Sequence, residues 1–592
     1  MSVQSKHFLN TPESLVLDSL EGLCTINPRL ALEPQNKIIY TKPHDRSKVA
    51  LVCGGGSGHE PAHASFVGEG MLTGAVCGLV FASPNPSQVK RGIELVDNDK
   101  GTVIIVKNYT GDVLNFGLAK EQYASIHPNK ADRIKFVVVG DDVAVGRSQG
   151  AIVGRRGLAG TVLVYKIAGA LANRGGSLNE VYNISQWIAS NVVTIGVSLG
   201  HVHVPGTAPP TSHLSDSEFE IGMGIHNESG NRRVSPVPPL HNLIPHLLEL
   251  LTSTTDHDRS FVPFQGKDDV VVLVNNLGGI SELELSGVVA ATRKALDACG
   301  FGTLRLLSGT FMTSLNMPGF SITLLRLPTE KEKSAPPATL ILSLLDEKPD
   351  VPGWKWSSGS SPLPLPTQIT PPYKQEADAA PLAKLKSLDS NAFLENIKRA
   401  AHGLITAEPD ITRMDSIGGD GDCGLTLKAG AEGVLAKIDD GTINGDDVVR
   451  SMITIATVAE EAMGGTSGAL YSIFFSGLAQ GLQAQASSFA NAEIWGKSLV
   501  LALAHLYIYT RARSPSRTLV DPLAAFIEVF QEKSFTSFSE AVKAAGVAAE
   551  ETKNIEAKAG RSAYLESERL IADQVPDAGA WGIKTILESL QV

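Results

Sequence analysis

The chain is 592 residues long and carries 51 Lys and Arg against 62 Asp and Glu, a net charge of −11. That balance, with no basic block, argues against a nucleic-acid surface, which needs clustered cations to meet phosphates. Apolar stretches such as Leu499–His505 and Ala338–Leu345 fall well short of the ~20 residues a membrane span needs, the start MSVQSKHFLN lacks the pattern of a signal peptide, and five scattered cysteines make no disulfide framework or zinc pair.

A cytoplasmic multidomain protein is expected, of three or four domains or two large ones. In chain order, residues 1–350 read as α/β in two lobes, about 1–190 and 191–350. Val49–Gly56, Gly101–Asp112, Arg133–Asp142 and Asn191–Gly200 are strand candidates, with helices between them at Pro86–Asp97 and Thr161–Ala172. Asp268–Gly279, Thr303–Phe311 and Ala338–Leu345 supply strands for the second lobe. Such alternation implies a parallel or mixed sheet covered by helices, with ligands at the carboxyl ends of strands. Residues 351–385 hold seven of the 32 prolines and a Ser/Gly run, and read as a semi-extended linker. Residues 386–592 keep only four prolines and show alanine-rich helical spacing at Phe393–Ile405, Gly424–Ile438, Asp446–Met463, Ser467–Ser487 and Ala492–Ala512. This second part is mostly or wholly α.

The 57 glycines, many clustered in apolar surroundings, suggest backbone that approaches a ligand, and so an enzyme. WGKS (Trp495–Ser498) is a Walker decoy, since Asn491 stands where that loop needs glycine. GGGSGHE (Gly54–Glu60) is not a dinucleotide fingerprint either, because His59 replaces its last glycine. In RMDSIGGDGDCGLT (Arg413–Thr426), Asp415, Asp420 and Asp422 form a hard-oxygen cluster among glycines. It suits Mg²⁺, which shares its shell with substrate phosphates; the other reading is a solvated acidic loop, and an EF-hand fails because positions 6 and 12 are Leu425 and Ala431. Glu460–Tyr471 puts small residues and two hydroxyls at a helix start, where free N–H groups suit phosphate. Metal loop and phosphate loop together suggest an unconventional ATP·Mg site. In the α/β half, His59, Lys107, Asp112 and His226 lie beside glycines in loops and would converge if those loops share one sheet end. HVHVPGT (His201–Thr207) has alternating histidines without a third ligand and reads as polar strand.

Six motifs in this order, GGGSGHEPAH, FASPNPSQ, KNYTGDVLNF, GRRGLAGT, EIGMGIH and GDGDCGLT, resemble the ATP-dependent dihydroxyacetone kinases over nearly the whole chain. The resemblance implies an N-terminal triose-binding domain of two α/β lobes and a C-terminal α-helical barrel for ATP and Mg²⁺. It implies that His226 bonds the substrate carbonyl as a hemiaminal, that His59 assists as acid/base, and that Asp112 acts on the hydroxyl to be phosphorylated. Gly56, Ser57, Gly58 and Lys107 would line the triose. Asp415, Asp420 and Asp422 match the metal triad. Nucleotide contacts fall at Asp422, Cys423, Gly424, Leu425, Thr466, Ser467, Thr518, Asp577, Ala578 and Gly579. The family also implies a cytoplasmic homodimer with domains exchanged between subunits, serving glycerol metabolism and dihydroxyacetone detoxification.

The chain departs from the family pattern at Ser229, at GRSAY (Gly560–Tyr564), at ESERLIAD (566–573) and at DAGA (Asp577–Ala580). Two competing readings are a flavin-nucleotide cyclising lyase at the ATP domain and a non-catalytic triose sensor. The intact GDGDCG loop counts against the second.

Overall fold

The computed structural model describes residues 5–208, 214–363, 384–485, 487–558 and 571–591. The chain divides into compact units at 1–370 and 371–592. The first holds two six-stranded sheets among its described residues. Sheet one runs β1 (Leu30–Glu33), β2 (Ile38–Thr41), β4 (Gly74–Val80), β3 (Ala50–Ser57), β5 (Thr102–Lys107), β6 (Ile134–Val139) across its width. Its last four strands are mutually parallel, so β3, β4 and β5 present their carboxyl ends at one edge. Sheet two runs β11 (Gly302–Gly309), β10 (Asp269–Asn276), β12 (Gly319–Arg326), β7 (Val192–Ser198), β8 (Phe219–Ile221), β9 (Arg232–Val234), and only β10 with β11 is parallel.

Strand alternation builds the layers. Leu51 and Cys53 of β3 and Val103 and Ile105 of β5 face one core with helices α4 (Gly160–Asn173) and α5 (Leu178–Ser190). Val52, Ile104 and Val106 face the other, with α2 (Pro86–Leu95) and α3 (Thr110–Ile126). Helix α4 packs on strands of both sheets, which is why GTVLVYKIAGALA has no polar face and why Lys166 is fully buried. In sheet two, Val270, Val272, Ile322 and Leu324 face α6 (Leu240–Thr252) and α7 (Glu282–Cys299).

The expected strand at Ala338–Leu345 is instead a helix, α8 (Ala338–Asp346), which buries Ile341, Leu344 and Leu345 at helical spacing. Prolines 336 and 337 favour a helix start over a ladder. The Pro/Ser-rich stretch is packed where it begins: the Gly353 amide donates to Ser65 O at 2.9 Å, and the Trp354 ring packs edge-on to Phe311 at 5.4 Å. Residues 364–383 of that stretch lie outside the described residues.

Among its described residues the second unit is helical apart from a short parallel pair, Lys386–Ser387 with Phe489–Ala490. Its helices are α9 (Ser390–Gly418), α10 (Cys423–Asp439), α11 (Val448–Val458), α12 (Gly465–Gln483), α13 (Ala492–Tyr509), α14 (Val520–Glu532), α15 (Phe538–Glu551) and a last helix, Ala578–Ser589. Sequence neighbours pack in succession and the last helix returns onto α9, closing a ring around one apolar core. Helix α9 runs through Pro409 well past the expected end at Ile405, which puts Asp415 on its last turn. Among the described residues, no helix is long and apolar enough to cross a membrane.

Candidate functional site

In the first unit the loops after β3, β4 and β5 meet the loop after β8. Strand β3 carries glycine next to its end because its neighbours leave no room: a Cβ on Gly56 would come within 2.9 Å of backbone atoms of Phe81 and Ala82. Ser57 Oγ donates to Gly78 O at 2.8 Å, and Gly58 takes a φ of +99° with its amide donating to Glu60. His59 follows, fully buried. Its Nδ1 lies 2.8 Å from Thr313 O, and a carbonyl can only accept, so Nδ1 carries a hydrogen and Nε2 is left facing His226. Asn275 holds the Thr313 loop, its Oδ1 accepting the amides of Phe311 and Met312 and its Nδ2 donating to Met312 O.

His226 comes from the loop after β8, in EIGMGIH. Its Nε2 stands 3.0 Å from His59 Nε2, and its Nδ1 donates to Glu228 Oε1 at 3.0 Å. The rings of Phe81, Tyr109 and His59 stand edge-on around it at 5.1, 4.6 and 4.7 Å. Burial, with the charges of Lys107 and His226, pushes the His59 imidazole well below its usual range. Burial raises the Glu228 carboxyl, but hydrogen bonding and charge from His226 override it and hold the group at about 2.

Lys107 ends β5, fully buried, with its Nζ 5.5 Å from the Tyr109 centroid and without a hydrogen-bond partner. Burial lowers its pKa, and Asp112 partly restores it. Asp112 sits in the first turn of α3, its Oδ1 accepting from Ser83 Oγ at 2.5 Å, and burial raises its carboxyl. A Cβ on Gly55 would touch Asp112 Oδ2 at 3.1 Å, which places that carboxyl over β3. The four groups therefore do come together, but not at one sheet end: His59, Lys107 and Asp112 belong to the carboxyl edge of sheet one, and His226 is brought to them by the loop after β8 of sheet two.

In the second unit, Asp415, Asp420 and Asp422 each offer a ligand oxygen within 4.8 Å of the others and could hold a metal ion. Asp415 Oδ2 accepts the amides of Asp422 and Cys423 at 2.8 and 3.0 Å, joining the end of α9 to the start of α10. Gly424 lets those helices touch, since its Cβ would lie 2.4 Å from Glu408 O. Helix α12 starts at Gly465, after Gly464 at φ +62°, with Thr466 exposed and Ser467 beside the Cys423 thiol. Burial, with the charges of Asp415, Asp577 and Asp422, pushes that thiol up to about 12. Leu425 is exposed beside the triad.

Thr518 and Asp577 are brought together by Arg517, which donates to Thr552 O and Val575 O, and by Gly579 against Leu519. Asp577 caps the last helix at the amide of Ala580, two residues past buried Ala578, and burial pushes its carboxyl up to about 6. The hydroxyl of Tyr471 is buried without a partner, and the charges of Cys423 and Asp577 act on it. GRSAY lies outside the described residues.

Residues 21–340 match the Dak1 domain and residues 417–591 the DAK2 domain. The dihydroxyacetone kinase of Pichia angusta is 40% identical over 99% of this chain and 98% of its own length. The chain belongs to the dihydroxyacetone kinase family. Other relatives are dihydroxyacetone kinase 1 of Saccharomyces cerevisiae, 41% identical over 97% of this chain and 98% of that one, and the human triokinase/FMN cyclase, 37% identical over 99% of each. The solved dihydroxyacetone kinase of C. freundii covers 99% of both chains at 29% identity and a TM-score of 0.63, as does its complex with AMP-PNP and Mg²⁺.

For this member of the kinase family, sequence reasoning missed Glu228, Thr313, Tyr109, Phe81 and Ser83. His-x-Glu was a usable signal for the first. Thr313 acts through a backbone carbonyl 254 residues from His59, which no side-chain pattern reveals.

Proposed function

We propose that the chain transfers the terminal phosphoryl group of ATP to dihydroxyacetone held as a hemiaminal on His226. The observation that carries this reading is the nitrogen pair, His226 Nε2 against His59 Nε2 at 3.0 Å, each ring fixed at its other nitrogen. Glu228 and Thr313 O each hold an Nδ1–H, so one proton can lie between the two Nε2 atoms. On His59 that proton leaves the His226 lone pair free to attack the carbonyl carbon. The carbonyl π pair moves to oxygen, which takes the proton from His59. The positive charge left on the His226 ring faces the Glu228 carboxylate. A His59 imidazolium destabilised by burial and Lys107 is a ready proton donor.

Asp112, made more basic by burial, would take the proton of the attacking hydroxyl. The unpartnered ammonium of Lys107 gives an incoming oxygen a donor. In the second unit, Asp415, Asp420 and Asp422 would hold magnesium, two of them exposed and so open to phosphate oxygens and water. Bound there, the ion offsets phosphate charge in a loose transition state. The C. freundii complex with AMP-PNP and Mg²⁺ supports ATP and magnesium as what a kinase of this family uses. A triose offers few atoms to bind, and covalent capture adds to at most about 1.5 kcal/mol per heavy atom.

The test is ADP release with dihydroxyacetone, D-glyceraldehyde and glycerol as acceptors. Turnover with carbonyl trioses and none with glycerol is expected; equal turnover with glycerol would sink the hemiaminal. The name of the human relative favours a second reading, cyclisation of a flavin nucleotide at the helical unit. Phosphorus NMR with FAD tests it, and a spectrum without cyclic product removes it.

A further inference from the structure

Segment Asp350–Lys355 lies across the back of both loops that fix His59. On one side the Asp350 amide donates to Glu69 O and the Gly353 amide to Ser65 O, each at 2.9 Å. There is no slack at that contact: a Cβ on Gly353 would stand 2.9 Å from Pro61 Cβ and 2.9 Å from Ser65 O. Pro61 and Ser65 continue the loop that begins at His59. On the other side the Trp354 ring meets Phe311 at 5.4 Å, two residues before the Thr313 carbonyl that holds His59 Nδ1. Behind the indole, 5.6 Å from its centroid, is the buried ammonium of Lys166, which donates to Leu344 O at 2.6 Å and so ties the indole to the end of α8.

The two loops are also bound to each other, Thr313 N to His59 O at 3.1 Å, Thr313 Oγ1 to Glu60 O at 2.9 Å and Leu315 N to Gly58 O at 2.7 Å. A bonded pair of loops moves as one body, and its outer surface is what the segment covers. We propose that Trp354 is a positioning residue for His59, and that Asp350–Lys355 is a strap setting the distance between His59 and His226 from outside the pocket. Trp354 touches neither imidazole; it acts through Phe311 and the Thr313 carbonyl. The same strap opens the stretch that continues toward the second unit, so the chain's path out of the first unit passes behind its acid/base histidine.

The kinetic arm of the test rests on the proposed kinase reading; the spectroscopic arm does not. Full-length protein with ¹⁵N-histidine is prepared as wild type, Trp354→Ala, Trp354→Phe, Gly353→Ala and Trp356→Ala, the last at a residue 86% exposed. The Nδ1–H resonance of His59, assigned by its loss in His59→Gln, should be lost or shifted in Trp354→Ala and Gly353→Ala and kept in Trp354→Phe and Trp356→Ala. Turnover should fall about tenfold in the first two with KM for ATP unchanged, as a small misplacement of a reacting group predicts. A wild-type resonance and wild-type turnover in Trp354→Ala overturn the proposal, as does a loss that Trp354→Phe fails to rescue. If Trp354→Ala does not fold, Gly353→Ala decides in the same way. A wild-type chain without kinase activity refutes the functional reading, while the resonance still judges the strap.

Discussion

Glu228 grips His226 at two points, its Oε2 accepting the backbone amide at 2.8 Å and its Oε1 the ring Nδ1–H at 3.0 Å. One carboxylate therefore sets both the turn and the tautomer, and turns Nε2 toward His59. Its carboxyl lies at about 2, below the ordinary 4.5. The pair's contribution to stability is complete above the unfolded value and is lost as pH falls from there toward 2. Urea midpoints measured between pH 6 and 2.5 should drop more steeply for wild type than for Glu228→Gln. Parallel curves would show that the pair carries no such stability.

Replacing His226 by Ala should abolish turnover with dihydroxyacetone in a chain that still folds, with a melting temperature lowered near neutral pH because Glu228 loses the ring Nδ1–H it accepts. A crystal of wild type with dihydroxyacetone should show continuous density from Nε2 to the carbonyl carbon. A clear gap would remove covalent capture while leaving phosphoryl transfer standing.

The three aspartates should not behave alike. Asp422→Asn is expected to weaken ATP·Mg binding, read by calorimetry, with an unchanged melt. Asp415→Ala should do this and also cost about 1–2 kcal/mol of stability, because two amides at the start of α10 lose their acceptor. Equal melts for the two variants would contradict the capping role of Asp415.

Each unit carries one half of the proposed reaction, and transfer needs reacting atoms about 3–3.5 Å apart. If subunits exchange their helical units, mixing His226→Ala with Asp422→Asn chains under subunit exchange should restore part of the activity. No recovery in proven heterodimers would assign transfer to a single chain.

Much of this was legible in the residues. Glycines after the apolar runs Val49–Gly56 and Gly101–Asp112 marked where β3 and β5 end, while β4 between them was not foreseen, and the proline count marked where the helical part begins. What failed had local causes. ATLILSLL is apolar at both periods, and the prolines before it with its packing on α4 make it a helix. Asp415 was placed in a metal loop after a helix ending at Ile405, yet α9 continues through Pro409 to Gly418. Glu228 acquires a role only once Nδ1 of His226 is oriented.

The glycine floor of the pocket around His226 has an evolutionary consequence. A Cβ on Gly54 would collide with Val76 O, one on Gly56 with the Phe81–Ala82 backbone, and one on Gly58 with the Phe81 ring. Exchange of side chains along β3 is thus closed as a route to new acceptors, because every step there breaks the wall itself. Selection for bulkier or differently shaped substrates has to act on Phe81 and Tyr109, the aromatic rings facing His226 from the other strand ends. Libraries randomised at those two positions should yield altered acceptor preference, and libraries along Gly54–Gly58 only inactive protein.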